Sequence, residues 1–359
     1  MRIAVVGVGL VGGSIGLAAA ERLDGAEVWG FDPAPGVLAA ARERGAVARA
    51  AGSLAEAVEG ASACFLCAPV GALPGLVAAA LAAAGEDCVV TDVGSTKRLI
   101  AGATDDQRFV GGHPVAGAET SGVEHARGDL FEGAAWYLTP SERSSGLLYE
   151  RLHRMLVAFR ARPVAIDADT HDRLLATVSH LPHVIANVLV SQAARTLTQE
   201  GEALPRVGPS FRDTTRVAGA SSAVWSDIYA TNGEAIAAEV DETVRRLEGV
   251  AAALRSGDGA SIVEWNERAR EDRRRLLEAD LAGDSVHELR ITVPNRPGIV
   301  AQVALALGHG GVNIVDMALS PAPDMRSGAV RLWIAGDGDA ERAKGLIEEL
   351  GFPVSGRRA

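Results

Sequence analysis

Three stretches of the chain carry side chains able to move protons or hold anions. Gly111-Gly112-His113-Pro114-Val115-Ala116-Gly117-Ala118-Glu119 sets a histidine in a glycine-rich segment. Imidazole titrates closest to neutral pH and suits proton transfer, although a loop histidine can also serve only to bond backbone. Ser179-His180-Leu181-Pro182-His183 holds two more histidines, with a proline that removes a backbone N–H and disturbs any helix there. Two histidines three apart can ligate a metal, but no cysteine or acid cluster adjoins them, so no metal is expected. Phe211-Arg212-Asp213-Thr214-Thr215-Arg216 offers two guanidinium forks. These match a carboxylate in bidentate fashion, and equally suit a surface salt-bridge patch.

A fourth stretch, Gly7-Val8-Gly9-Leu10-Val11-Gly12, follows the apolar run Arg2–Val6 and opens a helical segment. Gly-x-Gly-x-x-Gly is a weak signal alone and a stronger one between a strand and a helix. Gly7 allows the tight turn, Gly9 the approach of a pyrophosphate, and Gly12 the close packing of helix on strand. The helix N-terminus, with its free N–H groups at Leu10 and Val11, favours the anion. Asp32 lies twenty residues after Gly12, at the end of the next apolar run. A carboxylate there accepts from ribose hydroxyls and repels a 2′-phosphate, which predicts NAD over NADP. Two further loops end strand-like runs on the same rim, Cys67-Ala68-Pro69-Val70 and Asp92-Val93-Gly94-Ser95-Thr96-Lys97.

The elements that must position these groups follow from pattern. Short apolar runs alternate with helical segments over the first part of the chain, the rhythm of a doubly wound parallel α/β sheet. Strands are expected at Arg2–Val6, Glu27–Phe31, Ala61–Cys67, Cys88–Val93, Arg108–Gly111, Ala134–Leu138 and Arg162–Ile166. Helices are expected at Gly12–Arg22, Ala34–Arg44, Leu73–Ala84 and Ser144–Phe159. Strand-like runs then stop until Asp284, giving an all-helical second domain in which Pro182, Pro205 and Pro209 mark kinks or helix ends. From Ser285 the order becomes βαββα, with a helix expected at Pro297–His309 and a last strand in Pro353–Arg357. The expected domains are 1–166, 167–284 and 285–359.

The 359 residues carry a net charge of −11, which argues against a nucleic-acid partner and requires an anionic substrate to find its arginines locally. No stretch reads as the roughly 18–20 apolar residues that span a bilayer, and the start lacks a signal peptide, so a cytoplasmic protein is expected. Cys64, Cys67 and Cys88 are the only cysteines. The Cys-x-x-Cys pair lies in an apolar strand, where residues three apart face opposite sides, so inert thiols are expected.

Together these pieces resemble the prephenate dehydrogenase family, over about residues 1–280. The matching segments are Gly7–Gly12 with Asp32, Asp92–Lys97, His113–Glu119, Ser179–His183, Phe211–Arg216 and Trp225, in the family's order. The resemblance implies that NAD is the cofactor and prephenate the substrate. It implies that His113 accepts the proton of the ring 4-hydroxyl and that Ser95 helps to hold that hydroxyl and the histidine. It implies that Arg216 binds a substrate carboxylate, that Ser179 and His183 line the pocket with Arg212 and Asp213 nearby, and that Glu119 stands at its mouth. The family has threonine before this glutamate where this chain has Ala118. Gly7, Gly9, Leu10, Val11, Gly12, Asp32 and Pro69 would hold the dinucleotide.

The C-terminal segment resembles an ACT domain, through His287–Val293, Pro294-Asn295-Arg296-Pro297-Gly298 and Gly311-Val312-Asn313-Ile314. That likeness implies an amino-acid effector, by end-product logic tyrosine, near Asn295 and Asn313. Asn313 also fits a plain turn residue. A homodimer is implied by analogy with such dehydrogenases. Arogenate is the rival substrate. A β-hydroxyacid dehydrogenase would rely on a lysine in the helical domain, and Asp167–Asp284 has none. A non-catalytic amino-acid sensor would have lost Ser95, His113, Ser179, His183 or Arg216, and all are present.

Overall fold

A computed structural model describes residues 1–116, 120–199, 207–280, 285–294, 314–321 and 327–358, with a few single positions between 303 and 312. The chain divides into two compact units, Met1–Arg245 and Arg246–Ala359.

In the first unit, β1 (Arg2–Val6), β2 (Glu27–Phe31), β3 (Arg49–Ala50), β4 (Ala63–Leu66) and β5 (Val89–Asp92) form a parallel sheet in the order β3-β2-β1-β4-β5. Successive side chains leave opposite faces, so each strand feeds two cores. Ile3, Val5 and Phe65 pack against α1 (Leu10–Arg22) and α2 (Val37–Glu43). Ala4, Val6, Cys64 and Leu66 pack against α3 (Leu54–Val58) and α4 (Leu73–Ala83). Neither β3 nor α3 was expected from the sequence. The strand order reverses between β1 and β4, and a crevice opens at such a switch point beyond the carboxyl ends of the strands. Cys64 and Cys67 belong to opposite cores, and burial pushes both thiols up.

The strand expected at Arg108–Gly111 lies further on. It is β6 (Gly111–Pro114), so His113 sits within a strand and not in the loop after one. An isolated parallel bridge from Val90 to Phe109 links the residues before it to β5. β6 pairs antiparallel with β7 (Ala135–Thr139), which pairs parallel with β8 (Arg162–Ala165). The single parallel sheet foreseen here is therefore two sheets, the second mixed. Two glycines allow the close packing of β6. A Cβ on Gly111 would fall 2.3 Å from Thr139 Oγ1, and one on Gly112 2.7 Å from the Asp92 carbonyl oxygen. Bare backbone lets this strand lie against β5, although glycine is a poor strand former. The second sheet shares the α1-side core through Trp136 and Leu138, and α6 (Gly146–Ala158) seals it with Leu148, Leu152, Met155 and Leu156.

The helical segment begins with α7 (Ala168–Leu175), whose N-cap Asp167 accepts from the Thr170 amide at 2.8 Å. A π-turn at Ala176–His180 leads into α8 (Leu181–Gln199). Pro182 thus marks a disturbance and not a helix end, one of the two outcomes its missing N–H predicts. The wider π-turn immediately before it absorbs the lost hydrogen bond. The continuous run Ala168–Arg195 is long and apolar enough, by length and composition, to cross a membrane, which corrects the expectation that no stretch is. It carries His171, Asp172 and His180 buried, and these are hydrogen-bonded to β6, to the loop after β5 and to Asn232. Then come α9 (Pro209–Thr215), a 3₁₀ turn at Arg216–Gly219, α10 (Ser222–Ser256) kinked at Asn232, and α11 (Gly259–Asp280).

In the second unit, β9 (Val286–Pro294), β10 (Ile314–Pro321), β11 (Ser327–Ala335) and β12 (Val354–Arg358) form an antiparallel sheet in the order β10-β11-β9-β12. Leu289, Ile291 and Val293 alternate into a core with Val330, Leu332 and Ile334, closed by Ala340, Ala343 and Ile347 of α12 (Asp337–Glu349). The helix expected at Pro297–His309 lies mostly outside the described residues, but Val303 and Leu307 are buried in this core.

Candidate active site

The glycine loop leaves β1 at Gly7, whose φ of +89° suits glycine. A Cβ on Gly7 would lie 2.1 Å from the Cys67 carbonyl oxygen, and one on Gly12 1.9 Å from that of Gly7. At Gly9 a Cβ would meet nothing within 4 Å. Gly9 precedes α1, whose first turn has neither a side-chain cap nor an acid, so the amides around Leu10 and Val11 await an acceptor. Asp32 is pinned above this loop, taking Val8 N at 2.8 Å on one oxygen and Ala34 N at 2.9 Å on the other. Open space, an uncapped helix start and an oriented carboxylate fit the pyrophosphate and ribose of a dinucleotide. Pro69 is exposed at the neighbouring end of β4.

Across the rim, the loop after β5 is held by a buried ion pair. Lys97 Nζ meets Asp92 Oδ2 and donates to the Gly112 carbonyl at 2.6 Å. Asp92 also accepts from Gly94 N at 2.8 Å and Gly112 N at 3.1 Å. Burial lowers the Lys97 pKa, although Asp92 opposes the shift. The arrangement fixes Gly112, and with it the direction of the next side chain, His113.

His113 is 8% exposed, and its Nδ1 lies 2.9 Å from His171 Nε2. His171 Nδ1 in turn lies 2.8 Å from Asp172 Oδ1. Among the described residues, His113 Nε2 has no protein partner. Burial first, then the facing charges of His171, Lys97 and His180, hold the His113 pKa well below the usual imidazole range. His113 is thus a neutral base at neutral pH. Burial pushes Asp172 up, but bonds from His171 and from the Arg98 and Lys97 amides outweigh it and lower its pKa.

Asp172 is a hub between the sheet and the helices. It accepts Lys97 N at 2.7 Å and Arg98 N at 3.0 Å, at the start of the short α5 (Arg98–Ala101). Asn232, at the kink of α10, donates to the Asp172 carbonyl at 2.8 Å, reaches His180 Nδ1 at 3.2 Å and accepts from Arg98 at 3.0 Å. Burial chiefly drops His180 to about 4. Thr96 and Thr231 hydroxyls meet at 2.9 Å and join the same loop to α10.

Beyond the π-turn, His183 stacks on Trp225 with ring centroids 3.6 Å apart and 3° between planes. Its Nδ1 lies 2.6 Å from the Tyr229 hydroxyl and 3.1 Å from Asn187 Nδ2. Burial lowers the His183 pKa. This leaves a flat, aromatic, neutral wall.

The predicted residues are thus distributed as follows. Ser95 is half-buried on the Asp92–Lys97 loop; among the described residues the imidazole partner of His113 is His171, not Ser95. Ser179 is half-buried within the π-turn. Arg212 and Asp213 are exposed on α9, and Arg216 is exposed at the start of the 3₁₀ turn; both segments pack on α8. Arg212 donates to the Val207 carbonyl at 3.0 Å. Glu119, Asn295 and Asn313 lie outside the described residues. Sequence reasoning passed over His171, Asp172 and Asn232. The one available signal was a His-Asp pair four residues after a capping aspartate, in Asp167-Ala168-Asp169-Thr170-His171-Asp172.

Residues 15–165 match the model of the prephenate dehydrogenase nucleotide-binding domain, and residues 167–267 that of the prephenate dehydrogenase dimerization domain. Prephenate dehydrogenase of Bacillus subtilis (strain 168) is 30% identical over 96% of this chain and 95% of its own length. Cyclohexadienyl dehydrogenase of Zymomonas mobilis is 31% identical over 73% of this chain and 91% of its own. The structure of Aquifex aeolicus prephenate dehydrogenase with hydroxyphenyl propionate and NAD+ superposes with a TM-score of 0.72 at 26% identity, covering 77% of this chain and 98% of that one. Synechocystis arogenate dehydrogenase gives 0.67 at 25% identity, over 77% of this chain and 100% of the other. A Rossmann-like sheet with an open glycine loop, a buried neutral histidine on its rim and matches of this extent lead to one family: the chain belongs to the prephenate dehydrogenases.

Proposed function

We propose that the protein catalyses the NAD-dependent oxidative decarboxylation of prephenate to 4-hydroxyphenylpyruvate and carbon dioxide, a step of tyrosine biosynthesis. The carrying observation is His113, buried and neutral, with Nδ1 engaged by His171 and Nε2 free of protein partners among the described residues. NAD, held by Gly7, Gly9, Leu10, Val11, Gly12, Asp32 and Pro69, supplies the hydride acceptor. His113 takes the 4-hydroxyl proton at Nε2 as that oxygen becomes a carbonyl, and Ser95 helps to hold it. The ring then loses its carboxylate as carbon dioxide and becomes aromatic. Arg216 holds a substrate carboxylate, with Arg212 and Asp213 beside it and Glu119 at the mouth. Ser179, and His183 backed by Trp225, offer a wall for the ring. Positioning and one proton transfer are all the protein must add.

Arogenate is the second reading, because similar proteins include a cyclohexadienyl and an arogenate dehydrogenase. Residues 1–166, 167–284 and 285–359 serve as cofactor, substrate and dimerisation, and regulatory domains in this proposal. Tyrosine would act through the last, near Asn295 and Asn313, as an ACT-like effector site. A homodimer through the helical segment is supported by the dimerization-domain match. A cytoplasmic location is supported by Cys64, Cys67 and Cys88, all free thiols.

The test is NADH formation with prephenate or arogenate, beside His113→Asn. Prephenate turnover that falls about 10²–10⁴-fold in the variant, with NAD binding retained, supports the reading. Turnover of arogenate alone moves the substrate, and turnover of neither overturns the function.

A further inference from the structure

Building on that reading, we propose that His171 and Asp172 are positioning residues that lock His113 in the tautomer able to accept a proton at Nε2. Asp172 Oδ1 can only accept when ionised, so the 2.8 Å contact places a proton on His171 Nδ1. When that is its only ring proton, His171 presents a bare Nε2. The 2.9 Å contact to His113 Nδ1 must therefore be donated by His113, which leaves His113 Nε2 without its hydrogen. The opposite tautomer would set two lone pairs against each other between buried rings. Without the dyad, His113 would be free to carry its proton on Nε2 and could take nothing from a substrate hydroxyl there.

The anchor of this chain is unusually firm. Asp172 has no exposed surface and is held by the Lys97 and Arg98 amides as well as by His171. Those amides belong to the loop after β5, whereas Asp172 belongs to α7. The same carboxylate thus sets the tautomer and ties the helical segment to the rim of the cofactor sheet. When His113 becomes an imidazolium, its Nδ1 hydrogen still points along the chain toward the Asp172 charge. The groups that face it are His171 and His180 from the helices, Lys97 paired with Asp92 from the sheet rim, and Tyr137 opposite it on β7, whose ring meets His171 at 5.5 Å.

Asp172→Asn would also disturb two backbone bonds, so His171 carries the test. His171→Gln keeps an acceptor near the Nε2 position, and His171→Leu removes it. In ¹⁵N-histidine-labelled, NAD-bound protein, the His113 signal is assigned among the eight histidines by its loss in His113→Asn. The wild type should show protonated Nδ1 and bare Nε2, the Gln variant the same, and the Leu variant a shift toward protonated Nε2. In steady state, kcat should fall about 10²-fold or more in the Leu variant and within about tenfold in the Gln variant, with KM values changed less than about twofold. A wild-type His113 protonated on Nε2, or equal kcat losses in both variants, overturns the proposal. If the wild type oxidises no prephenate, the functional reading falls, and the tautomer measurement alone decides the dyad.

Discussion

The glycine loop and the His113–Asp172 cluster stand on facing parts of one crevice rim, and they treat polar groups in opposite ways. The loop is left open: Gly9 faces empty space and the first turn of α1 lacks a cap. The cluster is closed: Asp172, His171, Lys97 and Asn232 have no exposed surface and bond to one another across elements. One region waits for a ligand to satisfy its amides. The other is bonded in advance and, among the described residues, leaves His113 Nε2 without a protein partner. A dehydrogenase of this kind needs both, because a dinucleotide must come and go while the base must not reorient between turnovers.

The comparison breaks first at the glycines. Gly12→Ala forces a Cβ to within 1.9 Å of a backbone oxygen, so about 3 kcal/mol of stability and more than about tenfold in NAD affinity should be lost. Gly9→Ala has room, and should cost about 1 kcal/mol or less while NAD affinity falls comparably. Urea unfolding and NAD titration separate the two. If Gly9→Ala binds NAD normally, the loop is not the open half of the contrast.

The closed half can be tested by acid. His180 is held at about 4, below its ordinary value near 6.5, mainly by burial. The unfolded chain therefore binds the extra proton first, and stability present above about pH 6.5 is lost as pH falls toward 4. From about pH 7.5 to pH 5 this group alone contributes a loss on the order of 2 kcal/mol, and His113, shifted the same way, adds to it. Urea midpoints at the two pH values measure it. A pH-independent midpoint between them would mean that these imidazoles are not buried neutral.

The same contrast explains what could be read in the sequence. Backbone geometry selects residue types at fixed spacing, so Gly7, Gly9, Gly12 and Asp32 announce the loop within one βαβ unit. Even α3 had a legible start in Ser53-Leu54-Ala55-Glu56, where the Ser53 hydroxyl accepts from Glu56 N at 3.1 Å. The relay has no such local rule. Lys97 reaches Asp172 across 75 positions, His113 reaches His171 across 58 and Arg98 reaches Asn232 across 134. Only the fold brings them together. His113 itself was found by its glycine-rich surroundings, but those glycines were read as a loop when they make a crowded strand, β6. Pro182 was legible as a disturbance, because its missing N–H is a local property, and the π-turn lies directly before it.

The smallest expected effect concerns where the closed cluster ends. Thr96 and Thr231 hydroxyls meet at 2.9 Å, joining the loop after β5 to α10 beside the relay. Thr231 also donates to the Asp227 carbonyl at 2.7 Å, so it keeps a partner when Thr96 loses its hydroxyl. Thr96→Val should then cost about 1 kcal/mol, the net worth of one ordinary hydrogen bond, and leave the ¹⁵N signature of His113 unchanged. The double variant with Thr231→Val should show a coupling of about that size and no more. A larger coupling, or a His113 tautomer that moves, would extend the positioning chain past Asp172 into α10. The base would then be held by the whole seam between sheet and helices, and not by two residues of α7.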